Sequence, residues 1–279
     1  LKVLGVDPAL NLAKKANNQG IKTFAKYFNS KFANLINKNF GKYNFIFARN
    51  VIAHVKNPNE IFKGAREVLK EDGFFIVEFP SLLNIYKFLQ YDNVFHEHNG
   101  FHSLKSIQDL SNKYNLKVVN MDIVSSQGGS LRCYITHKKN KTKPNLKVRS
   151  YFKKEQQHKL FAINSWKNFA KKVSLHKHKL KFLIKKLINK KKSVGIYGAS
   201  GKGQALIQYS NLNNKMIKRV YDLSSLKINK FTPGTHIKIE HPKKINKDNV
   251  DYLLICTWNL ANEIIAQQKK YENKGGKFI

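Results

Sequence analysis

The chain has 279 residues, of which 52 are Lys or Arg and 17 are Asp or Glu, and its formal net charge is +35. Apolar residues make up 42% and aromatic residues 12%, which excludes a disordered polycation. No apolar run approaches the roughly 20 residues that cross a bilayer. Cys133 and Cys256 stand alone, which excludes a disulfide framework and a CxxC metal site. We expect a cytoplasmic protein of one large or two ordinary domains, with no membrane partner.

Lysine supplies most of the positive charge, because only five of the 52 basic residues are Arg. The lysines are spread along the chain, whereas nucleic-acid binders cluster their charge and favour Arg. Two interpretations stay open: the charge reflects coding bias on solvated faces, or it captures an anionic ligand such as a nucleotide diphosphate or RNA. The dispersed pattern disfavours a nucleic-acid partner.

The first half of the chain alternates short apolar segments with amphipathic ones. The pattern predicts strands at 1–6, 22–24, 44–48 and 73–79, and helices at 8–20, 28–39, 59–70 and 103–114. Strands separated by helical segments are typical of a parallel, doubly wound sheet. Two further strands, 116–123 and 131–137, are expected to end the sheet as an antiparallel pair.

The second half begins with a polar linker and one or two long helices over 150–189, where most apolar residues recur three or four positions apart. A new strand–turn–helix series starts at Ser193, with strands in SVGIY, KRVYD, DYLLICTW and KGGKFI and a helix at 262–272. We therefore expect an α/β protein with three parts. These are a domain over 1–140, a linker with long helices over 141–192, and a smaller Rossmann-like domain over 193–279.

Candidate ligand residues follow two of the predicted strands. Asp7 lies in Gly5-Val6-Asp7-Pro8, where a carboxylate either accepts hydrogen bonds from both hydroxyls of an adenosine ribose or caps the next helix. Asn50 and His54 follow the strand at 44–48, so we expect both at the carboxyl edge of the sheet. Open α/β folds bind ligands at that edge, although a lone histidine there also fits a structural role.

The segment after the strand at 73–79 holds a dense group of ionisable side chains, His96, Glu97, His98 and His102. The three histidines could bind a metal, but Gly100 occupies the position of the second histidine in HExxH. A His–Glu pair acting as a general base is the better interpretation, because histidine titrates near neutrality.

A glycine turn, GASGKG at 198–203, follows the strand in SVGIY. It matches neither GxGxxG nor a Walker A loop, because Gly203 stands where Ser or Thr would follow the lysine. Its backbone N–H groups and Lys202 could still hold a phosphate, and a tight structural turn explains the sequence equally well.

In their order along the chain, these motifs resemble the sugar-nucleotide C-methyltransferases that use S-adenosylmethionine (SAM). The resemblance covers essentially the whole chain and is carried by GVDPA, FARNVIAHVKNP, GFFIVEFP, YDNVFHEHNGFHSL, GGSLR, GIYGASGKG, KRVYD, TPGTHI, LLICTWN and GGKFI. Such enzymes have an N-terminal zinc-binding domain, a class I methyltransferase domain and a C-terminal Rossmann-like domain. The resemblance implies a fragment that lacks the zinc domain and the first strand with its glycine-rich SAM loop.

The resemblance also implies roles for individual residues. Asp7 would hold the ribose of SAM, Asn50 would lie beside that cofactor, and His54 would line the active site. His98 would be the general base, with Glu97 beside it. Three further residues would bind substrate: Phe95, Arg132 and Lys202.

The implied reaction is methyl transfer from SAM to a carbon of a nucleotide-linked keto sugar through an enolate that a histidine generates. Phe95 stands where the family tends to have Tyr, which removes a hydroxyl donor near the enolate oxygen. Without the glycine loop, we expect this fragment to bind SAM poorly and its second and third strands to be separated from the fourth and fifth. The alternatives are an RNA or other SAM methyltransferase, and a non-catalytic nucleotide-sugar-binding protein.

Overall fold

The computed structural model describes residues 2–279, so Leu1 of the first predicted strand lies outside the described residues. The chain divides into two compact units. The first contains the residues up to Asn84 together with His98–Leu160, and the second contains Ile85–Glu97 together with Phe161–Ile279. The region expected to be a linker contributes one helix to the first unit and one to the second, so the two units differ from the predicted three parts. The three-part division into domains stays a prediction.

The first unit contains strands and helices in the predicted alternation. Its strands are β1 (Gly5–Val6), β2 (Thr23–Phe24), β3 (Tyr43–Arg49), β4 (Leu69–Pro80), β5 (Leu116–Val124) and β6 (Ser130–His137). Its helices are α1 (Leu10–Asn18), α2 (Ser30–Phe40), α3 (Pro58–Val68), the start of α4 (Leu82–Lys87), α5 (Leu104–Lys113) and α6 (Leu146–Gln157). The helix predicted at 8–20 is shorter in the structure, where it begins at Leu10 after its N-cap Ala9 and ends at Asn18.

Two separate sheets form the first unit. One has the order β3-β4-β6-β5, with β3 and β4 parallel and with β6 antiparallel to both β4 and β5. The other contains only β1 and β2, which are parallel. The predicted antiparallel pair is confirmed, and so is the predicted separation of β1 and β2 from the larger sheet.

Helix α3 packs on the larger sheet and on α2. It begins with Asn57 as its N-cap and Pro58 at the first turn, a sequence that favours helix initiation. Its buried Phe62 meets Phe75 of β4 edge to face, with 5.4 Å between ring centroids. Glu60 accepts hydrogen bonds from the backbone N–H and hydroxyl of Ser30, which fixes the start of α2 against α3.

The second unit is a parallel α/β layer with a long helix before it. Its strands are β7 (Val194–Tyr197), β8 (Val220–Tyr221), β9 (Ile239–Glu240), β10 (Tyr252–Ile255) and β11 (Lys277–Phe278). Its helices beyond α4 are α7 (Ile163–Asn189), α8 (Gly201–Tyr209), α9 (Ala261–Gln267) and α10 (Lys269–Asn273). The strands are parallel and lie in the order β11-β10-β7-β8-β9, as a doubly wound fold requires.

Apolar side chains cover both faces of this parallel sheet. Ile184 and Leu187 of α7 pack with Ile196 and Ile207 on one face, and Tyr221, Ile245 and Leu253 form the core of the other. The helix predicted at 262–272 is two short helices, α9 and α10, because Gln268 ends the first. No helix among residues 2–279 is long and apolar enough to cross a membrane.

Candidate active site

The first unit gathers several of the predicted site residues at the carboxyl ends of β3 and β4. Asn50 directly follows β3, and its backbone N–H donates to the carbonyl of Glu78 at 2.8 Å. Its φ of +51° lies in the left-handed region, which non-glycine residues rarely adopt. Its side-chain Oδ1 is buried without a hydrogen-bond partner. Asn50 therefore holds an unpaired acceptor at the ligand edge of the sheet.

A backbone pairing brings His54 and His98 together. The N–H groups of Asn99 and Gly100 both donate to the carbonyl of Ala53, at 2.8 and 3.1 Å. The Asn99 amide also donates to the carbonyl of His54 at 2.8 Å. As a result the two imidazole rings meet edge to face, with 4.9 Å between centroids and 65° between planes.

The histidines of this segment differ in their surroundings. His98 is half-buried, its ring centroid 6.0 Å from that of Phe101, and His54 is exposed. His102 is buried, and its Nε2 donates to the carbonyl of Ile52 at 3.2 Å. Burial lowers the pKa of His102, and its hydrogen bond offsets this only in part. His102 is thus a buried residue of the core, whereas His54 is exposed and His98 is half-buried.

Metal binding was the open alternative for these histidines. Within residues 2–279, no group of three or more His, Cys, Asp and Glu side chains lies close enough together to hold a metal ion. His98 and His102 belong to the first unit and His96 to the second.

Glu97 and Phe95 lie in the part of the segment that belongs to the second unit. Both Glu97 and His96 are exposed, and 3.9 Å separates Glu97 Oε1 from His96 Nε2. Phe95 packs on the glycine turn, where a Cβ added to Gly201 would lie 2.9 Å from the Phe95 ring. The expected pairing of Glu97 with His98 and the substrate contact of Phe95 stay predictions.

Asp7 follows β1 and forms a local turn before α1, but it does not cap that helix, because the N-cap is Ala9 and no side chain caps it. Its Oδ1 accepts a hydrogen bond from the N–H of Ala9 at 2.8 Å, close to the start of α1. The side chain is partly exposed. A carboxylate held in this way still has lone pairs for a ligand, so the ribose role stays a prediction beside the local turn that the structure contains.

Arg132 of β6 belongs to an ion cluster around the buried Glu78 of β4. Its Nε and Nη2 donate to Glu78 Oε2 at 3.0 and 2.8 Å, and Arg49 and Ser126 donate to Oε1 at 3.1 and 2.9 Å. Burial alone would raise the pKa of Glu78, but the hydrogen bonds from Arg132 and Ser126 and the charge of Arg49 outweigh it and lower the pKa. The guanidinium of Arg132 is thus engaged with Glu78, and its substrate role stays a prediction.

The glycine turn of the second unit joins β7 to α8. Gly198 has φ +98°, and a Cβ there would lie 2.1 Å from the Thr257 hydroxyl, so the position requires glycine. Asp222, at the end of β8, accepts from the N–H of Ala199 at 2.8 Å, and Ser200 caps α8. The turn is therefore fixed by neighbouring residues of its own unit.

Lys202 lies inside the second unit. It is 9% exposed, and its ammonium lies 5.9 Å from the centroid of the Trp258 ring. The indole N–H of Trp258 donates to the buried Asp92 carboxylate at 2.7 Å. Burial lowers the pKa of Lys202, and the charge of Asp92 offsets this in part. The expected phosphate contact of Lys202 stays a prediction.

A cavity of about 870 Å³ opens beside this turn, and all of its lining residues belong to the second unit. Its walls carry three lysines and three aromatic rings, namely Lys177, Lys227, Lys230, Phe95, Tyr209 and Phe231. The ammonium of Lys177 lies 4.7 Å from the centroid of the Tyr209 ring. These lysines were not predictable from the sequence, because nothing in their spacing separates them from the other lysines of the chain.

Comparison with known protein families supplies the context for both units. Residues 125–279 match the family model of the C-methyltransferase C-terminal domain, and residues 1–121 match a methyltransferase-domain model. The chain belongs to the C-methyltransferase family. The expected fold class, a class I methyltransferase-like domain followed by a Rossmann-like domain, is confirmed by these matches and by the two α/β units.

One curated relative of this C-methyltransferase family member is the C-methyltransferase NovU of Streptomyces niveus. The two are 31% identical over 278 residues, which is 100% of this chain and 66% of NovU. The chain thus spans just under two thirds of the length of that relative. The predicted C-methyltransferase family is therefore confirmed, and the sugar-nucleotide substrate stays a prediction.

Two solved structures are similar to parts of the chain. A SAM-dependent methyltransferase from Anabaena variabilis is 13% identical, with a TM-score of 0.40 over 49% of this chain and 68% of that one. Magnesium protoporphyrin IX methyltransferase from Synechocystis is 12% identical, with a TM-score of 0.38 over 48% of this chain and 64% of that one. TM-scores this low support no argument about the site.

Proposed function

We propose that this protein transfers a methyl group from SAM to a carbon of a nucleotide-linked keto sugar. The observation that carries the proposal is the pair His54 and His98, held at the ligand edge of the first unit by the pairing of 52–54 with 98–102. Two imidazoles 4.9 Å apart suit proton removal from a carbon acid, because one ring accepts the proton while the other lies within reach of the same centre.

The chemistry at this edge begins with His98. The carbonyl of a keto sugar acidifies the neighbouring C–H, and an imidazole nitrogen of His98 takes that proton. The electron pair of the C–H bond becomes the enolate, whose carbon is the nucleophile. SAM would supply the electrophile, a methyl group on a sulfonium, whose carbon–sulfur bond would break with its electron pair on sulfur, so that the neutral thioether S-adenosylhomocysteine would leave. His54 and the ends of β3 and β4 hold the substrate so that proton removal occurs at one carbon.

One feature of the first unit supports SAM binding. Asn50 carries a buried Oδ1 without a partner, and the ribose hydroxyls and amino group of SAM are donors that would satisfy it. Asp7 offers a second acceptor at the end of β1, where a carboxylate binds both ribose hydroxyls. Asn50 and Asp7 are therefore the residues that we expect to hold SAM.

The cavity of the second unit suits the nucleotide part of the substrate. Its volume of about 870 Å³ lies within the usual range for small-molecule sites. Aromatic rings such as Phe231 stack on a base, and Lys177 and Lys230 attract phosphates. Methylation of a nucleotide-linked sugar uses both properties, whereas a methyltransferase for a neutral small molecule uses neither.

The test is to incubate the full-length protein with SAM carrying a CD₃ group and with a panel of nucleotide-linked keto sugars. NMR of the product is expected to show a new carbon–CD₃ bond at the carbon next to the carbonyl, and one proton of the sugar is lost. RNA supplied in place of the sugar is expected to gain no label.

Three results would contradict this assignment. A CD₃ group on oxygen would mean that no enolate carbon acts as the nucleophile. Transfer to RNA would establish the alternative methyltransferase. Tight binding of the nucleotide sugar with no transfer to any member of the panel would support a binding protein.

A further inference from the structure

The cavity of the second unit contains a side chain whose hydrogen bonds are not accounted for. Gln204, on α8, lines the cavity, and both Nε2 and Oε1 of its amide are shielded from solvent and lack a hydrogen-bond partner. Among the amide side chains of residues 2–279, Gln204 is the one whose nitrogen and oxygen are both buried and unpaired. Buried polar groups in folded proteins are nearly always paired, so this amide requires an explanation.

A ligand in the cavity would provide that explanation. No protein hydrogen bond has to break for the amide to turn, because it makes none in this conformation. Side-chain rotation of this kind is common when a site fills. The same wall carries Tyr209, and Phe95 and Phe231 also line the cavity. The aromatic rings of the cavity would stack on a flat ligand, and the Gln204 amide would bind polar groups at the edge of that ligand.

We propose that Gln204 reads the edge of the nucleobase of the substrate. Its Nε2 donates to an acceptor of the base, and its Oε1 accepts from the adjacent N–H or NH₂ group. Nucleobases present such a donor beside an acceptor, and a primary amide matches the pair with two hydrogen bonds. The inference rests on the proposed function, because it assumes that the cavity receives a nucleotide.

This assignment makes Gln204 the residue that selects among bases. Stacking on aromatic rings tolerates any base, because every base has a π face. The lysines of the cavity contact phosphates, which are common to all nucleotides. Only a group that pairs with the base edge discriminates, and a site built around such pairing strongly rejects a ligand that leaves it unpaired.

Gln208 provides a matched control on the same helix. It also lines the cavity, but its Nε2 already donates to the carbonyl of Pro233 at 3.0 Å, and the residue is exposed. Replacement of either glutamine by methionine keeps the length of the side chain and removes the amide. The two variants therefore differ in whether the lost amide was available to a ligand.

The experiment is calorimetric titration of the wild type, Gln204→Met and Gln208→Met with uridine, thymidine, cytidine, guanosine and adenosine diphosphates. Inorganic pyrophosphate is the base-free probe. We expect the nucleotide that the wild type prefers to bind Gln204→Met roughly 10- to 100-fold more weakly. Pyrophosphate affinity and the affinities of Gln208→Met are expected to stay within about twofold of the wild type.

Thermal unfolding without ligand separates binding from structural support. Because the amide of Gln204 makes no hydrogen bond in the protein, Gln204→Met is expected to unfold at the same temperature as the wild type or higher. A lower unfolding temperature would identify Gln204 as a structural residue and would overturn the proposal.

Other results would also overturn it. Equal affinities of Gln204→Met and wild type for every nucleotide would remove Gln204 from base recognition, as would an equal loss for pyrophosphate. A preference for the adenosine nucleotide that S-adenosylhomocysteine abolishes would assign the base to the methyl donor. A wild type that binds none of the nucleotides would remove the nucleotide site itself. Failure of the proposed reaction is separate, because it would appear as absent methyl transfer with nucleotide recognition intact.

Discussion

Asp7 and Asn50, the residues proposed to hold SAM, each place an oxygen acceptor at the end of a strand of the first unit. The histidines are instead proposed to act in proton removal. Asp7 has its Oδ1 engaged with Ala9, which fixes the carboxylate before α1. Asn50 has a strained backbone and an unpaired acceptor. Residues with a strained backbone persist only where the surrounding structure holds them in place, and they cluster at ligand-binding sites. These two residues should therefore affect SAM affinity more than proton removal.

The substitution Asp7→Asn tests this assignment. The amide keeps an oxygen for Ala9 and loses the negative charge that accepts two ribose hydroxyls, so we expect the Kd for SAM to rise about 10- to 100-fold. Asp72→Asn, at an exposed position of β4, is the control. Calorimetry on the full-length protein is the measurement, and a SAM affinity equal to that of the control would remove Asp7 from the site.

At the residue scale, the placement of His54 and His98 could be predicted from the sequence, whereas their catalytic roles stay predictions. His54 and His98 each follow a predicted strand, and such positions meet at one sheet edge. Gln204 and the cavity lysines could not be predicted, because they come from distant segments and have ordinary residue types. The burial of Lys202 was equally hidden, since a lysine after a glycine turn is normally solvated.

At the scale of elements, the loop between β5 and β6 depends on a glycine. Gly129 has φ +110°, and a Cβ there would lie 2.1 Å from Asn84 Nδ2. Its carbonyl accepts from the N–H of Ser81, directly after β4. The GGSLR stretch therefore fixes the end of the strand that leads to the candidate site.

Gly129→Ala is expected to destabilise the first unit by about 1–3 kcal/mol, through backbone strain together with the contact to Asn84. Gly20→Ala is the matched control, because Gly20 has φ +81° and nothing within 4 Å of an added Cβ. It should cost about 1 kcal/mol from strain alone. Urea unfolding followed by circular dichroism is the measurement, and equal losses in both variants would contradict the role of the Asn84 contact.

A buried carboxyl couples α5 and α6 to pH. Glu155 accepts from the N–H groups of Leu104 and Lys105 at 2.7 and 3.2 Å. Burial raises the pKa of Glu155 to about 7, and the two hydrogen bonds offset this only in part. A raised pKa means that the stabilising contribution is complete below the ordinary value near 4.5 and is lost as the pH rises to about 7.

The free energy of unfolding is therefore expected to decrease by an amount on the order of 3 kcal/mol between pH 4.5 and 7 from this group. Glu155→Gln, which does not titrate, should lack this part of the pH dependence. Urea unfolding of both proteins across this range is the measurement. Parallel pH profiles would show that Glu155 titrates at its ordinary pKa.

The order of the elements was predictable, and their exact bounds were not. Short apolar segments between amphipathic ones predicted β3, β4 and the antiparallel β5–β6 pair. The last helix was predicted as one continuous element, yet Gln268 divides it. The break is a backbone feature, because Gln268 has φ −104° and ψ 25°, and it leaves no signal in composition.

At the scale of the whole molecule, a net charge of +35 accompanies a cavity whose walls carry three lysines. Several lysines are engaged in ion pairs, including Lys244 with Glu240 and Lys192 with Asp251. The remainder raise the local concentration of any polyanion without a defined geometry. Binding of RNA should therefore depend on charge alone.

We expect fluorescence anisotropy to give similar affinities for unrelated single-stranded RNAs at 50 mM salt. Affinity is expected to fall by a factor of 10 or more at 200 mM, because counterion release drives such binding. The affinity for uridine diphosphate, measured in parallel, should fall by a smaller factor, because its binding neutralises fewer phosphates. Tight binding of one RNA sequence at 200 mM salt would favour the RNA methyltransferase instead.

The central claim is that His98 removes the proton that precedes methyl transfer, and single-turnover kinetics test it most directly. His98→Asn is compared with His178→Asn, an exposed histidine of α7, in the full-length protein. We expect the His98 variant to transfer the methyl group about 10²–10⁴-fold more slowly with an unchanged Kd for SAM, and the control to match the wild type. A His98→Asn rate close to that of the wild type would contradict the claim.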